Sequence, residues 1–245
     1  MKNEKLLYAV AITLLAIFAF GQLKSLLTRE EQRAYKSGEV VSSINKTKYS
    51  TSEPASLWVI VNKQNPLPKT YSPANLSEVK ALTVTNPDES KLREDANKAL
   101  ADLVKSAGKE KLKYQMISGY RSYDLQNIVY GGNVSSDGQK KADDTSARPG
   151  HSEHQTGLAV DLGRTDGKCR LETCFGDTPE GKWLADNAYK FGFIVRYQQG
   201  EQGIVGYSYE PWHLRYVGKE LADELFKKDL TMEEFFGYPA APDYK

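Results

Sequence analysis

Ser152-Glu153-His154-Gln155-Thr156-Gly157-Leu158-Ala159-Val160-Asp161, preceded by Arg148-Pro149-Gly150-His151, is the stretch on which the reading of this chain turns. Two residue types able to bind a metal, His154 and Asp161, bracket a glycine and a short apolar run. Read as a strand, Leu158 to Leu162 sends Leu158, Val160 and Leu162 to a core and Ala159 and Asp161 to the other face. Asp161 then projects into a cleft beside a residue small enough to leave room for an ion. Gly157 permits a bend that brings the His154 imidazole round, because glycine takes backbone angles that other residues avoid. A second cluster, Glu210-Pro211-Trp212-His213, supplies the partners the first one lacks. His154, Asp161 and His213 are the expected ligands of one zinc ion, with Glu210 as the acid/base beside it.

The 245-residue chain has only three histidines, His151, His154 and His213, and all lie in these two clusters. That concentration beside Asp161 and Glu210 points to a metal site rather than to scattered core histidines. Lys plus Arg (33) nearly balances Asp plus Glu (32). No overall field argues for a nucleic-acid partner. The length suits one cored domain with a short appendage, and a monomer is expected.

The N-terminus carries Lys2 and Lys5, then an uncharged run from Leu6 to Leu23. At ~1.5 Å per residue this run reaches roughly 27 Å, about the thickness of a bilayer's hydrocarbon core. Residues 1–23 are read as an uncleaved membrane anchor, with a signal peptide ending near Ala19-Phe20-Gly21 as the alternative. Either places the remainder outside the cytoplasmic membrane, and the anchor reading makes the protein single-pass. Residues 24–54, charged and rich in Ser, Thr and Lys, read as a juxtamembrane spacer, and 55–245 as the domain.

Within the domain, Leu57 to Val61 has the composition of a strand. Leu92, Ala96, Leu100, Leu103 and Val104 follow helical spacing, and Gly108 is placed to end that helix. Tyr114 to Ser118 reads as a strand, followed by a short helix from Gln126 to Tyr130 and a polar loop from Gly131 to Gly150 that forms one rim of the cleft. Cys169 and Cys174, the only cysteines, suit a disulfide in an extracytoplasmic protein. Thr178-Pro179 starts a helix, Phe193 to Val195 and Tyr207 to Tyr216 read as strands, and Thr231-Met232-Glu233-Glu234 has the form of a capping box.

Two neutral imidazoles and one carboxylate leave a zinc ion net positive, able to activate water near neutral pH and polarise a carbonyl. Glu210 is the base that would take and return the proton. One geometric condition attends this: residues i and i+3 of a regular strand face opposite ways, so Glu210 and His213 share a cleft only if the strand bends near Pro211-Trp212.

From Leu57 to Gly237 the sequence resembles the VanY-type D-Ala-D-Ala carboxypeptidases and their L,D-carboxypeptidase relatives, which trim bacterial peptidoglycan stem peptides. The resemblance rests on Ser118-Gly119-Tyr120-Arg121-Ser122-Tyr123 with Gln126, on Pro149 to Asp161, and on Glu210-Pro211-Trp212-His213-Leu214-Arg215-Tyr216-Val217-Gly218. It implies an α+β domain with a central antiparallel sheet, the ligands and base named above, and removal of a C-terminal D-Ala. D,D action is expected, with L,D cleavage of tetrapeptide stems as the alternative.

In that reading Arg121 grips the substrate's terminal carboxylate with charge-assisted hydrogen bonds. Ser152 contacts substrate, and Ser118, Gln126 and Tyr120 line the pocket. His151 stays outside the ligand set. A serine peptidase built on Ser77-Glu78-Val79-Lys80 lacks the later elements of that class. A non-catalytic zinc module, as in hedgehog-type domains of the same superfamily, would need none of Glu210, Arg121 and Ser152. An endopeptidase would have no use for a carboxylate clamp.

Overall fold

The computed structural model describes residues 44–245. The expected anchor at 1–23 and the spacer as far as residue 43 lie outside the described residues. Among the described residues, no helix is long and apolar enough to cross a membrane.

In chain order the elements are β1 (Leu76–Glu78), β2 (Thr83–Val84), β3 (Lys91–Arg93), α1 (Glu94–Lys109), β4 (Tyr114–Ser118), α2 (Tyr123–Asp137), α3 (Gln139–Thr145), β5 (Ala159–Arg164), α4 (Pro179–Asn187), β6 (Phe193–Tyr197), α5 (Gln202–Val205), β7 (Glu210–Tyr216), α6 (Lys219–Lys228) and α7 (Met232–Phe236). β1 and β3 form a small antiparallel pair, and the main sheet runs β2-β4-β5-β7-β6. The α+β class is as expected, but the sheet is mixed: β2 pairs parallel with β4, and the other pairings are antiparallel. The crossover through β3 and α1 returns the chain to β4 in the direction in which β2 left it, which a hairpin cannot do.

One face of the sheet meets α1. Ala96, Leu100, Leu103 and Ala107 recur at helical spacing and are buried with Met116, Leu158, Val160, Leu162 and Leu214. The helix runs one residue past Gly108, and Lys111 rather than that glycine takes the left-handed backbone (φ 63°). A second core gathers Trp58, Ile60, Val217, Leu221, Leu225, Met232 and Phe235. The expected capping box closes α7 through Thr231 and Glu234, and Thr178 caps α4 ahead of Pro179.

Three expectations are corrected. Leu57 to Val61 is buried but is not a strand. Its carbonyls at Leu57 and Val59 accept from the Arg215 guanidinium, and the Trp58 indole donates to Val217, so side chains take the place of a ladder. The polar stretch 131–150 is mostly helix: α2 continues to Asp137 and α3 follows after Gly138 (φ 81°). Only Gln126 of α2 and Ala142 of α3 are buried, so neither helix shows an apolar stripe in the sequence. The end of the expected spacer belongs to the compact unit, which starts at Ile44. Ile44 is buried, Lys46 lies over Phe235, and Tyr49 meets Trp58 edge-on.

Candidate active site

The turn Glu153–Thr156 enters β5. Ser152 caps it by accepting from the His154 amide, and Gly157 (φ 68°) turns the chain into the strand, as its position implied. A carbonyl can only accept, so the 2.7 Å contact of His154 Nδ1 with the Gly119 carbonyl fixes the proton on Nδ1 and leaves Nε2 facing Asp161, 3.2 Å from Oδ2. Gly119 has no room for a side chain: a Cβ there would stand 2.5 Å from the Lys91 carbonyl and 2.7 Å from that of Glu89. Gly119→Ala should therefore displace this carbonyl, costing about 1–3 kcal/mol in unfolding free energy and loosening the metal site. Denaturant titration alongside zinc titration checks both.

Asp161 pairs across the sheet with His213. On the other side of β7, Val195 pairs with Leu214 while Tyr197 pairs with Glu210, so two steps along β6 span four along β7. This bulge at Pro211–His213 is the irregularity that the Glu210 and His213 spacing required. Both side chains reach the same cleft, with Glu210 Oε2 3.9 Å from His213 Nδ1.

His154, Asp161 and His213 are buried, and their ligand atoms lie within 4.8 Å of one another. Asp161 Oδ1 is 3.0 Å from His213 Nδ1, yet it is a buried oxygen with no hydrogen-bond partner. A carboxylate set between two imidazoles, with one of its oxygens orphaned, fits a bound cation, and two nitrogens with one carboxylate suit a catalytic zinc. Cys169, Glu172 and Cys174 also cluster, but the thiols form the expected disulfide and are spent. His151 stands apart, its Nδ1 on the Asn62 carbonyl.

Burial works against a charge on His213, but the Asp161 and Glu153 carboxylates outweigh it and hold its pKa up at about 10. A cation must displace that proton. Zinc affinity of the stripped protein should therefore rise about tenfold per pH unit from pH 6 to 8, and competition titration reads the slope. For Glu210, burial raises the pKa to about 8. Opposing this are His213 and Arg121, whereas Asp161 and Glu153 push the same way as burial. A positive ion alongside would favour its ionised, base-competent form.

The cleft, about 550 Å³, is lined by Ser118, Arg121, Gln126 and Ser152 together with the metal group and Glu210. Tyr120 is not among its walls: its hydroxyl meets that of Ser72 at 3.0 Å. Arg121 is held rather than loose. Nη2 lies 2.7 Å from Glu89, Nη1 donates to Gln126 Oε1, and Gln126 in turn donates to the Ala147 carbonyl.

Glu153, unassigned on sequence grounds, lies beneath His213. Its Oε1 accepts from Arg196 and Arg215, each at 2.8 Å, and its Oε2 is 3.5 Å from His213 Nε2. Burial alone would raise its pKa, but Arg215 and Arg196 overcome that and hold it far below the carboxylate range. Arg196 continues to Glu233 and Glu233 to Asn62, all buried. The sequence signal was an arginine inside each of two apolar strands, 193–197 and 210–216, which a core tolerates only with an acid opposite. Tyr197, also unforeseen, sets its ring 4.8 Å from that of His213.

A cation site on a sheet, a carboxylate at its edge and a guanidinium thus face one cleft. The family profile described as VanY, D-alanyl-D-alanine carboxypeptidase, matches residues 89–219. YodJ of Bacillus subtilis (strain 168), which carries a carboxypeptidase name, is 43% identical over 185 residues, spanning 75% of this chain and 68% of that one. The solved structure of the LdcB LD-carboxypeptidase is 42% identical at a TM-score of 0.71, covering 76% of this chain and 88% of that one. The vancomycin-resistance D,D-pentapeptidase VanY from a VanB-type cassette, solved with Zn(II), is 31% identical at a TM-score of 0.61, covering 75% and 99%. The chain belongs to the VanY family of zinc carboxypeptidases.

Proposed function

We propose that this protein holds one zinc ion through His154, Asp161 and His213 and removes the terminal D-alanine from peptidoglycan stem peptides. The observation that carries the reading is Arg121, a side chain 12% exposed and fixed by Glu89 and Gln126, facing the same cleft as the metal group and Glu210. Bound zinc supplies a Lewis acid for the scissile carbonyl and for water. The chain's own groups do the rest. Arg121 binds the terminal carboxylate, and Ser118, Gln126 and Ser152 line the walls around it. Glu210 takes a proton from water and returns it to the leaving amine.

Two specificities compete. The family description favours D,D cleavage of pentapeptide stems, and the greater likeness to LdcB favours L,D cleavage of tetrapeptide stems. Incubation with each stem, with and without chelator, followed by mass measurement, decides between them. Release of D-alanine from neither stem would end the proposal. Arg121→Lys should raise KM about tenfold with a smaller change in kcat, since an ammonium loses the two-point grip. An unchanged KM would remove Arg121 from the carboxylate site. For location, we propose residues 1–23 as an anchor holding the domain outside the cytoplasmic membrane, on the apolar run and its flanking lysines. Recovery of full-length protein from washed membranes tests this, and recovery in the soluble fraction would overturn it.

A further inference from the structure

The disulfide loop after β5 takes no part in the mechanism above, yet Leu171, Glu172 and Thr173 line the catalytic cleft. Its position relative to Arg121 follows from the sheet. Ser118 pairs with Asp161, and the chain beyond it runs toward the N-terminal end of β5, where the Arg121 amide donates to the His154 carbonyl. The loop leaves from the opposite end of β5, after Arg164. It returns through the turn Thr173–Asp177 against the start of β7, so closely that a Cβ on Gly176 would stand 2.3 Å from the Tyr209 hydroxyl and 3.3 Å from Pro211. Arg121 and the loop thus lie at opposite ends of the metal group.

The loop is also built to present its tip. Cys169 and Leu171 both hold left-handed backbone (φ 53° and 52°), which non-glycine residues keep only where surrounding structure enforces it. The Cys169–Cys174 bridge closes the loop around that tip, and Phe175 roots it in the main core. Leu171 is left 41% exposed at the cleft wall. Leu171 thus turns an apolar side chain toward the cleft that holds the metal group and Arg121.

We propose that Leu171–Thr173, fixed by the disulfide, forms the subsite for the part of the stem peptide on the N-terminal side of the scissile bond. The inference rests on Arg121 holding the carboxyl end: a peptide bound there and crossing the metal group must extend toward this loop.

The test uses the zinc-loaded protein, Leu171→Ala with the bridge intact, and the Cys169→Ser/Cys174→Ser double variant. Binding of a stem peptide shortened to three residues is measured by calorimetry, together with kcat/KM on a full stem and on an acylated dipeptide. Both variants should bind the shortened stem about five- to tenfold more weakly, and the full-stem to dipeptide ratio of kcat/KM should fall by a similar factor. Binding within twofold of wild type in Leu171→Ala, or equal losses on both substrates, would overturn the subsite. If the wild type binds the shortened stem through Leu171 but cleaves nothing, the hydrolytic reading fails and the subsite stands.

Discussion

Glu210→Gln is expected to lower kcat roughly 10²- to 10⁴-fold while the protein still takes up close to one equivalent of zinc. Glutamine keeps the shape of the side chain at the bulge of β7 and removes its ability to accept a proton. The metal group is unaltered in this variant, since Glu210 approaches His213 Nδ1 only to 3.9 Å. Steady-state kinetics with metal analysis on the same sample separates the outcomes. A variant that keeps a tenth or more of wild-type turnover would show that the proton passes through another group. A variant that loses both zinc and activity would make Glu210 a ligand instead.

Glu153→Gln should be the most damaging change outside the ligands themselves. Two guanidiniums with side chains fully shielded from water, Arg196 and Arg215, share its Oε1. Removing the charge leaves Arg215 without its carboxylate, and breaking a buried pair costs about 3–5 kcal/mol. The same carboxylate faces His213 Nε2, so His213 loses the group that orients its ring, and zinc affinity should drop about 10- to 100-fold. Chemical denaturation gives the first number and zinc competition the second. A loss of stability with unchanged zinc affinity would mean that Glu153 serves the arginines alone. The acid dependence has a definite sign. Because the folded pKa of Glu153 is depressed, its contribution is present above the ordinary glutamate range and is lost as pH falls through the folded value.

Much of the site was legible because its residues are chemically rare and closely spaced. Three histidines in two clusters, each beside an acid, left few alternatives for a metal centre, and the alternation Leu158-Ala159-Val160-Asp161-Leu162 placed Asp161 opposite a core face, where the structure has it. The Gly157 bend, the α7 capping box and the Cys169–Cys174 bridge were equally local, each set by a few adjacent residues.

What stayed hidden depends on partners distant in the chain. Leu57 to Val61 carries strand composition, and whether it joins a sheet is decided by Arg215, more than 150 residues away, which takes its carbonyls. α2 and α3 bury almost nothing, so no periodicity marks them. The parallel edge of the sheet reflects where a crossover returns. The residue types in the sequence by themselves determined which side chains could hold a cation and move a proton, because that capacity belongs to each group alone. Only the tertiary structure decided that β7 bulges to bring Glu210 and His213 to one cleft, that Glu153 stands under His213, and that Glu89 holds Arg121. Those arrangements are set by burial and charge compensation between segments that meet only after folding.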